Sequence, residues 1–246
     1  MIFFRKAFYL NLIIILIFNS CISDDNNISE NFMVVKGSIE GLRKGTLYLQ
    51  RIKDTLLINV DSTLIKGEPK FEFRTPLENA EVFYLYLEKE DGDNNNDRIL
   101  FFGEKGTIEI NTLLKTFESS AKIKGSENQE LLHEYESFRR KFNDQNLELI
   151  KNNYIAKAQG NLKRADSLQK KIDNLKRRRY LYTINFAATN TDKIIAPYLA
   201  LTQVYDANLS LLDTIALNMS PNVRDSKYGK QFLSFLKERK DSEIDN

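Results

Sequence analysis

The chain has 246 residues, of which 42% are hydrophobic and 28% are charged, a composition that suits one large folded domain or two small ones. Its pI is about 8.4, but Arg5 and Lys6 lie in an N-terminal segment without acidic residues. Without these two, the 36 basic residues fall to 34, which equals the 34 acidic residues. Because proteins that bind nucleic acids neutralise phosphates with a basic excess, we expect no nucleic-acid partner.

The residue types that most often carry redox or metal chemistry are scarce. A single cysteine, Cys21, excludes an internal disulfide, a C-x-x-C redox pair and a cysteine-rich zinc site. The single histidine, His133, lies close to Leu132 and Tyr135 on a helical pattern, so we expect a partly packed structural side chain. The sequence therefore predicts no metal and no cofactor, and it assigns no catalytic residue.

The first 20 residues have the layout of a signal peptide. Two basic residues near the start are followed by an apolar run at residues 12–18 and by a polar end. Asn11 interrupts the apolar stretch, which is also shorter than the roughly 20 apolar residues that a membrane-spanning helix needs. We therefore expect residues 1–20 to be cleaved rather than retained.

The cysteine directly follows this segment. Ser20 before Cys21, with a polar stretch after it, resembles the lipobox of bacterial lipoproteins, whose cysteine receives a diacylglyceryl group before cleavage. Phe18 and Asn19 depart from the commonest form of that box. We expect a lipid on Cys21 that holds the protein on a membrane, since several acyl chains anchor stably at about 0.8 kcal/mol per buried methylene. An ordinary secreted protein with an incidental cysteine is the alternative.

Residues 21–31 are polar, acidic and aperiodic, as expected of a lipidated tether between a membrane and a folded body. The pair Asp24 and Asp25 resembles the surface-export signal of some Gram-negative lipoproteins. The expected location is therefore the cell envelope, on the outer membrane, facing the periplasm or the cell surface.

Short strands separated by turn residues are predicted in residues 32–126. Apolar and polar residues alternate most clearly at 71–73 and 82–87. The other predicted strands are residues 34–39, 45–49, 55–60 and 107–110. Strands at this spacing, with no room for crossover helices, predict an antiparallel β-sandwich or open barrel.

Residues 91–97 superficially resemble a calcium loop. Asn96, however, takes the position of the required Gly, and Phe102 takes that of the closing Glu. The segment is rich in turn formers, so it predicts a solvated hairpin tip.

Residues 127–246 are predicted to be helical. Apolar residues spaced three and four apart predict two long helices joined at Gly160. The run KRRR at 176–179 suggests an anion site, but successive helical residues point in different directions, so we expect a solvated face. Further helices are predicted at 194–205, at 210–217 and from Pro221 onward. The predicted fold class is α+β: an antiparallel β-sandwich or open barrel followed by a helical hairpin and further helices.

The last predicted helix places Tyr228, Phe232, Phe235 and Leu236 on one face. Amphipathic helices usually bury such a face within the chain. The alternative is a docking surface for a partner.

Several short motifs together resemble a known domain type. They are residues 35–42 (VKGSIEGL), 61–63 (DST), Gly67 with Phe71 and Phe73, 123–128 (IKGSEN), 196–199 (APYL) and 220–230 (SPNVRDSKYGK). The first four resemble an uncharacterised β domain at the N-terminus of lipid-anchored thiol-disulfide oxidoreductases. The last two resemble the helical linker that joins it to a thioredoxin-like domain. The resemblance implies the accessory part alone, because the chain stops where the thioredoxin-like domain and its C-x-x-C would begin.

The sequence thus predicts a cell-envelope lipoprotein that acts as a non-catalytic binding or accessory module. Its expected partners are the membrane, through the lipid, and an envelope protein, with a thiol-disulfide protein in trans as one candidate. One alternative is a hydrolase-like enzyme with a non-contiguous site of scattered Ser, Asp and Glu, although the sequence has no G-x-S-x-G elbow, zinc motif or phosphate loop. The other alternative is a purely structural spacer.

Overall fold

The first half of the described chain forms strands and the second half forms helices. The computed structural model describes residues 31–89 and 97–244, which belong to one compact unit, Asn31–Asn246. The strands are β1 (Phe32–Glu40), β2 (Lys44–Lys53), β3 (Leu56–Lys66), β4 (Lys70–Pro76), β5 (Glu81–Glu88), β6 (Asp97–Gly103), β7 (Gly106–Leu113) and β8 (Lys122–Lys124). A 3₁₀ turn, Leu114–Thr116, lies between β7 and β8.

These strands form two sheets of four strands each. The first sheet has the order β4–β1–β7–β8 and the second has the order β3–β2–β5–β6. Neighbouring strands pair antiparallel except β1 and β7, which run parallel. The predicted fold class is confirmed, because two open sheets dominated by antiparallel pairing are followed by helices.

The facing sides of the two sheets share one apolar core. In β4, residues alternate strictly between buried and exposed, which is the period-two pattern of a strand with one face inside. The largest side chains that are almost fully buried in this core include Met33, Phe73, Phe83, Leu85 and Phe101. Gly37 lets β1 approach β7 closely, since a Cβ at this position would lie 1.7 Å from the carbonyl oxygen of Ile110.

Two strands, β6 and β8, were not predicted, and every other strand extends beyond its predicted bounds. In β6, Ile99 and Phe101 face the sheet core while Leu100 and Phe102 face the helices, so the strand lacks apolar alternation. β8 has only three residues. β3 continues to Lys66 through the polar residues 61–63, which the edge of a sheet tolerates. β5 and β6 pair antiparallel as a hairpin, and the connecting residues 90–96, which include most of the predicted tip, lie outside the described residues.

The described helices are α1 (Glu127–Ala158), α2 (Leu162–Thr189), α3 (Ile195–Gln203), α4 (Leu209–Asn218), α5 (Pro221–Asp225) and α6 (Lys227–Ile244). The prediction of two long helices joined at Gly160 is confirmed: α1 and α2 form a hairpin, and Gly160 has φ +70°. Ser126 caps α1 by accepting a hydrogen bond from the Gln129 backbone, and Asn161 caps α2 by accepting one from the Arg164 backbone.

A second apolar core joins the helices to the outer face of the second sheet. Phe102 from β6 and Val82 from β5 are buried in it beside Tyr135 of α1, Leu199 of α3 and Phe232 of α6. The helices therefore cover part of that sheet face. Among the residues that the structure describes, none of the helices has the length and hydropathy that crossing a bilayer requires.

Candidate functional site: the outer face of the second sheet

The register of the second sheet lines up side chains in rows across its outer face. Tyr48 lies opposite Ser62 of β3 and Tyr86 of β5, and Tyr86 lies opposite Arg98 of β6. The next row consists of Asn59, Gln50, Tyr84 and Leu100. Because side chains alternate between the faces of a sheet, both rows point away from the core between the sheets.

The helices cover only one side of this outer face. The Phe102 ring packs edge-on against Tyr198, with ring centroids 5.1 Å apart, and lies 6.4 Å from the Tyr228 ring. Tyr84 and Leu100 also pack against the helical core. We call the remainder of this face the open face, and among its members only Gln50 is buried. It consists of Tyr48, Gln50, Ile52, Leu57, Asn59, Leu64, Tyr86 and Arg98.

Contacts between side chains fix the middle of the open face. The rings of Tyr48 and Tyr86 stack with centroids 5.8 Å apart, and the Arg98 guanidinium lies 4.7 Å from the Tyr86 centroid. Arg98 Nε donates a hydrogen bond of 3.3 Å to Gln50 Oε1, and Gln50 Nε2 donates one of 2.8 Å to Asn59 Oδ1. The buried Gln50 thus holds its two neighbours in place, so the surface is ordered before any ligand arrives.

At the far end of this row, the Tyr48 hydroxyl donates a 2.8 Å hydrogen bond to Glu88 Oε2. The bond to the Glu88 carboxylate raises the pKa of Tyr48 above its usual value. Tyr48 therefore keeps its proton at physiological pH. The open face accordingly offers aromatic rings, amides and a guanidinium, with the Glu88 carboxylate beside them, and such groups recognise polypeptide chains.

The open face includes exposed apolar residues of β2 and of the edge strand β3. Leu57 and Leu64 of β3 are 42% and 50% exposed, and Ile52 of β2 is 41% exposed. In the strand order of the second sheet, β3 has a neighbour on one side only. An eleven-residue edge strand with exposed leucines can accept the backbone of another chain.

A buried carboxylate holds the last helix against the end of the second sheet. The Glu81 side chain is 8% exposed and lies 3.0 Å from Arg51 Nη1. Lys227 Nζ also pairs with Glu81 and donates a 2.9 Å hydrogen bond to the Ile52 carbonyl. The adjoining cavity of about 480 Å³ is lined by three basic residues (Arg51, Lys227, Lys230), three acidic residues (Glu78, Glu81, Asp225), Pro76 and Asn79. Because these charges balance, we interpret the cluster as a structural latch rather than an ion site.

A second carboxylate positions the hairpin. Glu104 Oε1 accepts hydrogen bonds from Ser126 Oγ at 2.8 Å and from the backbone and side-chain nitrogens of Asn128 at 2.9 and 2.6 Å. Asn128 Oδ1 in turn accepts a 2.8 Å bond from the Ile195 backbone. Gln129 Oε1 accepts a 2.8 Å bond from the backbone of Phe102. These bonds fix the start of α1 against β6 and α3.

Two tyrosines at the contact between sheet and helices are partly buried. Tyr228 accepts a 3.1 Å hydrogen bond from the Val82 backbone through its hydroxyl, and burial raises the pKa of Tyr228. Burial likewise raises the pKa of Tyr198 to about 12. Both side chains are neutral at physiological pH and serve the packing of the helices on the sheet.

The four residues of the last helix that the sequence analysis considered for docking are buried or half-buried. Phe232 is fully buried and Leu236 is 4% exposed, while Tyr228 and Phe235 are half-buried against the same helical core. Phe232 and Leu236 are therefore inaccessible to a partner, and the structure favours the internal packing of this face. Cys21, the predicted lipid-attachment residue, lies outside the described residues.

Other residues that the sequence singled out are solvated. His133 is exposed rather than partly packed, because it points away from the core that holds Leu132 and Tyr135. The basic run 176–179 is exposed throughout, as predicted. In the described part of the chain, no cluster of three or more His, Cys, Asp or Glu side chains is arranged to hold a metal ion. The open face was missed because it depends on strand register, which no local motif encodes.

Comparison with known proteins gives a single family. Residues 33–132 match the model of a domain of unknown function, DUF4369, which spans all eight strands and the first turns of α1. No curated protein matches the chain. A DUF4369 domain is thus found at residues 33–132, and it is the N-terminal domain type of the proteins whose motifs the chain resembles.

Proposed function

We propose that the protein is a cell-envelope lipoprotein, held on the outer membrane by a lipid on Cys21, that acts as a non-catalytic binding or accessory module. The open face carries the binding part of this proposal. The anchoring part is supported by the sequence of residues 1–31, in which an apolar export segment ends at the sole cysteine.

The partner we propose is an envelope protein that presents an extended segment to β3. Strand addition supplies backbone hydrogen bonds to an edge strand, and side chains that contact the sheet face supply specificity. Leu57 and Leu64 offer apolar contacts along β3, and Asn59 between them offers an amide. Tyr48 and Tyr86 lie in the neighbouring strands, within reach of a segment that crosses the face.

One set of variants tests the binding part in the native envelope. A photo-crosslinking amino acid at Asn59, which is exposed on β3, should give an adduct of one defined mass. Leu57→Lys combined with Leu64→Lys should abolish that adduct without changing the melting temperature, because lysines on an edge strand oppose strand pairing. The matched control is Glu72→Lys on β4, the edge of the first sheet, which should leave the adduct intact. An adduct that persists in the Leu57 and Leu64 variant would refute the assignment to this edge.

Cys21→Ser in the same strain tests the anchoring part. The substitution should remove the acyl label, because the acceptor thiol is gone. Incorporation of label into the Cys21→Ser protein would show that the lipid is attached elsewhere or that the protein is not a lipoprotein of this kind.

A further inference from the structure

The turn of the helical hairpin concentrates positive charge. Residues 149–165 contain Lys151, Lys157, Lys163 and Arg164 and no acidic residue. All four basic side chains are exposed, and within the described chain none of them forms an ion pair or a side-chain hydrogen bond. We call this segment the hairpin tip.

The hairpin tip also exposes large apolar side chains. Tyr154 is 75% exposed and Leu162 is 71% exposed. Ile150 and Ile155 are 46% and 40% exposed. An ordinary solvated helix end has no need of four such residues, whereas aromatic and aliphatic side chains among lysines are typical of segments that lie in a lipid interface.

The hairpin tip lies away from both apolar cores. The last residue of α1 in the helical core is Tyr135, and from there to Ala158 an α-helix rises about 35 Å. The buried residues Ala156, Ala165 and Ile172 of the distal hairpin belong to neither core. The distal hairpin is therefore a projecting arm with a charged and apolar end.

We propose that the hairpin tip binds the surface of an anionic lipid bilayer. Tyr154 and Leu162 would enter the boundary between headgroups and acyl chains, and the four basic side chains would contact lipid phosphates. Charge complementarity selects this occupant, because every charged side chain of the tip is positive. The contact needs no lipid on the protein, so it is independent of the proposed anchor and of the open face.

The test uses residues 31–246, which form one compact unit and lack the proposed anchor. Sedimentation is measured with vesicles of phosphatidylglycerol and phosphatidylcholine in equal parts and with vesicles of pure phosphatidylcholine. Partitioning should be at least about tenfold stronger on the anionic vesicles and should weaken at high salt. Equal partitioning to both kinds of vesicle, or none to either, would overturn the proposal.

Two variants locate the contact. Tyr154→Ser with Leu162→Ser, and Lys157→Glu with Lys163→Glu, should each weaken partitioning at least about tenfold. Circular dichroism should show unchanged helicity, because all four side chains are exposed. The first pair removes apolar contacts and the second reverses charges, so the second pair still tests the proposal if the first alters the fold.

Matched controls separate this site from other basic and apolar surface. Leu217→Ser changes a leucine that is 74% exposed on α4, and Lys176→Glu with Arg177→Glu reverses two exposed charges on the same helix α2. Neither should affect partitioning. Loss of partitioning in these controls would overturn the assignment to the hairpin tip. Equally strong binding of residues 31–246 to a DNA duplex at the same salt concentration would reduce the site to a general polyanion surface and would likewise overturn the proposal.

Discussion

At the scale of single residues, Glu81 provides a buried charged contact between the second sheet and α6. Its carboxylate meets two cations, Arg51 and Lys227, whose side chains are 36% and 31% exposed. Removing one partner from a buried ion pair costs more than the pair contributes, because the remaining charges lose their compensation. The partial exposure of both cations reduces this penalty.

Glu81→Gln should therefore lower the free energy of unfolding by about 2 kcal/mol, measured by urea denaturation. The control is Glu78→Gln, which removes an exposed carboxylate from the same cavity and should change stability by less than about 0.5 kcal/mol. Equal effects of the two substitutions would show that Glu81 is not a latch.

Tyr198 should make the stability depend on alkaline pH. Burial raises the pKa of Tyr198 from the usual 10.0 to about 12, so the folded state holds the phenol proton where the unfolded chain has lost it. The stabilising contribution is complete below pH ~10 and is lost as pH rises toward the folded pKa. Tyr198→Phe removes this titration and should lessen the fall in stability between pH ~10 and ~12. Urea midpoints measured across this range check the prediction, which fails if both proteins lose stability in parallel.

At the scale of elements, the parallel pairing of β1 with β7 depends on Gly37. A methyl group at this position would lie 1.7 Å from the carbonyl oxygen of Ile110, and backbone cannot move aside as a flexible side chain can. Gly37→Ala should cost about 3 kcal/mol or more in thermal or urea denaturation. Gly67→Ala is the control, because Gly67 has φ +88° and a Cβ at this position would have no atom within 4 Å. Backbone strain alone should therefore lower the stability of this variant by about 1–2 kcal/mol. Similar costs at the two sites would contradict the close approach of the strands.

A helix or strand could be predicted from the sequence only where contiguous residues showed its apolar spacing. β4 has one buried and one solvated face, so its alternation was visible. β6 has a buried residue on each face, because Phe101 packs in the core between the sheets and Phe102 packs in the helical core. Its apolar residues are therefore consecutive and show no alternation. The hairpin of α1 and α2 was predicted because helical spacing and the Gly160 turn lie within contiguous sequence.

The candidate site, by contrast, could not be predicted. Gln50, Tyr86 and Arg98 come from three strands, and only the register of β2, β5 and β6 brings them into contact. The parallel pairing of β1 with β7 is equally non-local. The spacing of Tyr228 and Phe232 predicts one apolar face of the last helix. It does not predict what this face contacts, because part of the contact is with Phe102 and Val82 of the sheet.

At the scale of the whole molecule, strands and helices depend on each other. Phe102 belongs to the DUF4369 match and is fully buried by helical residues that lie beyond residue 132. The contacts of Glu81 with Lys227 and of Glu104 with Ser126 and Asn128 fix the helices, which cover one side of the outer face and leave the other side open. In this arrangement the helical region defines the boundary of the open face and gives it a fixed shape.

The central claim is that the open face receives a partner along β3. Its most direct test is hydrogen exchange of residues 31–246, measured alone and with the partner captured through Asn59. Amides of β3 that point away from β2 lack a strand neighbour, so they should exchange quickly in the free protein and at least about tenfold more slowly in the complex. Amides of β4, at the edge of the first sheet, should not change. Protection confined to β4 or to the helices, with β3 unaffected, would contradict the account.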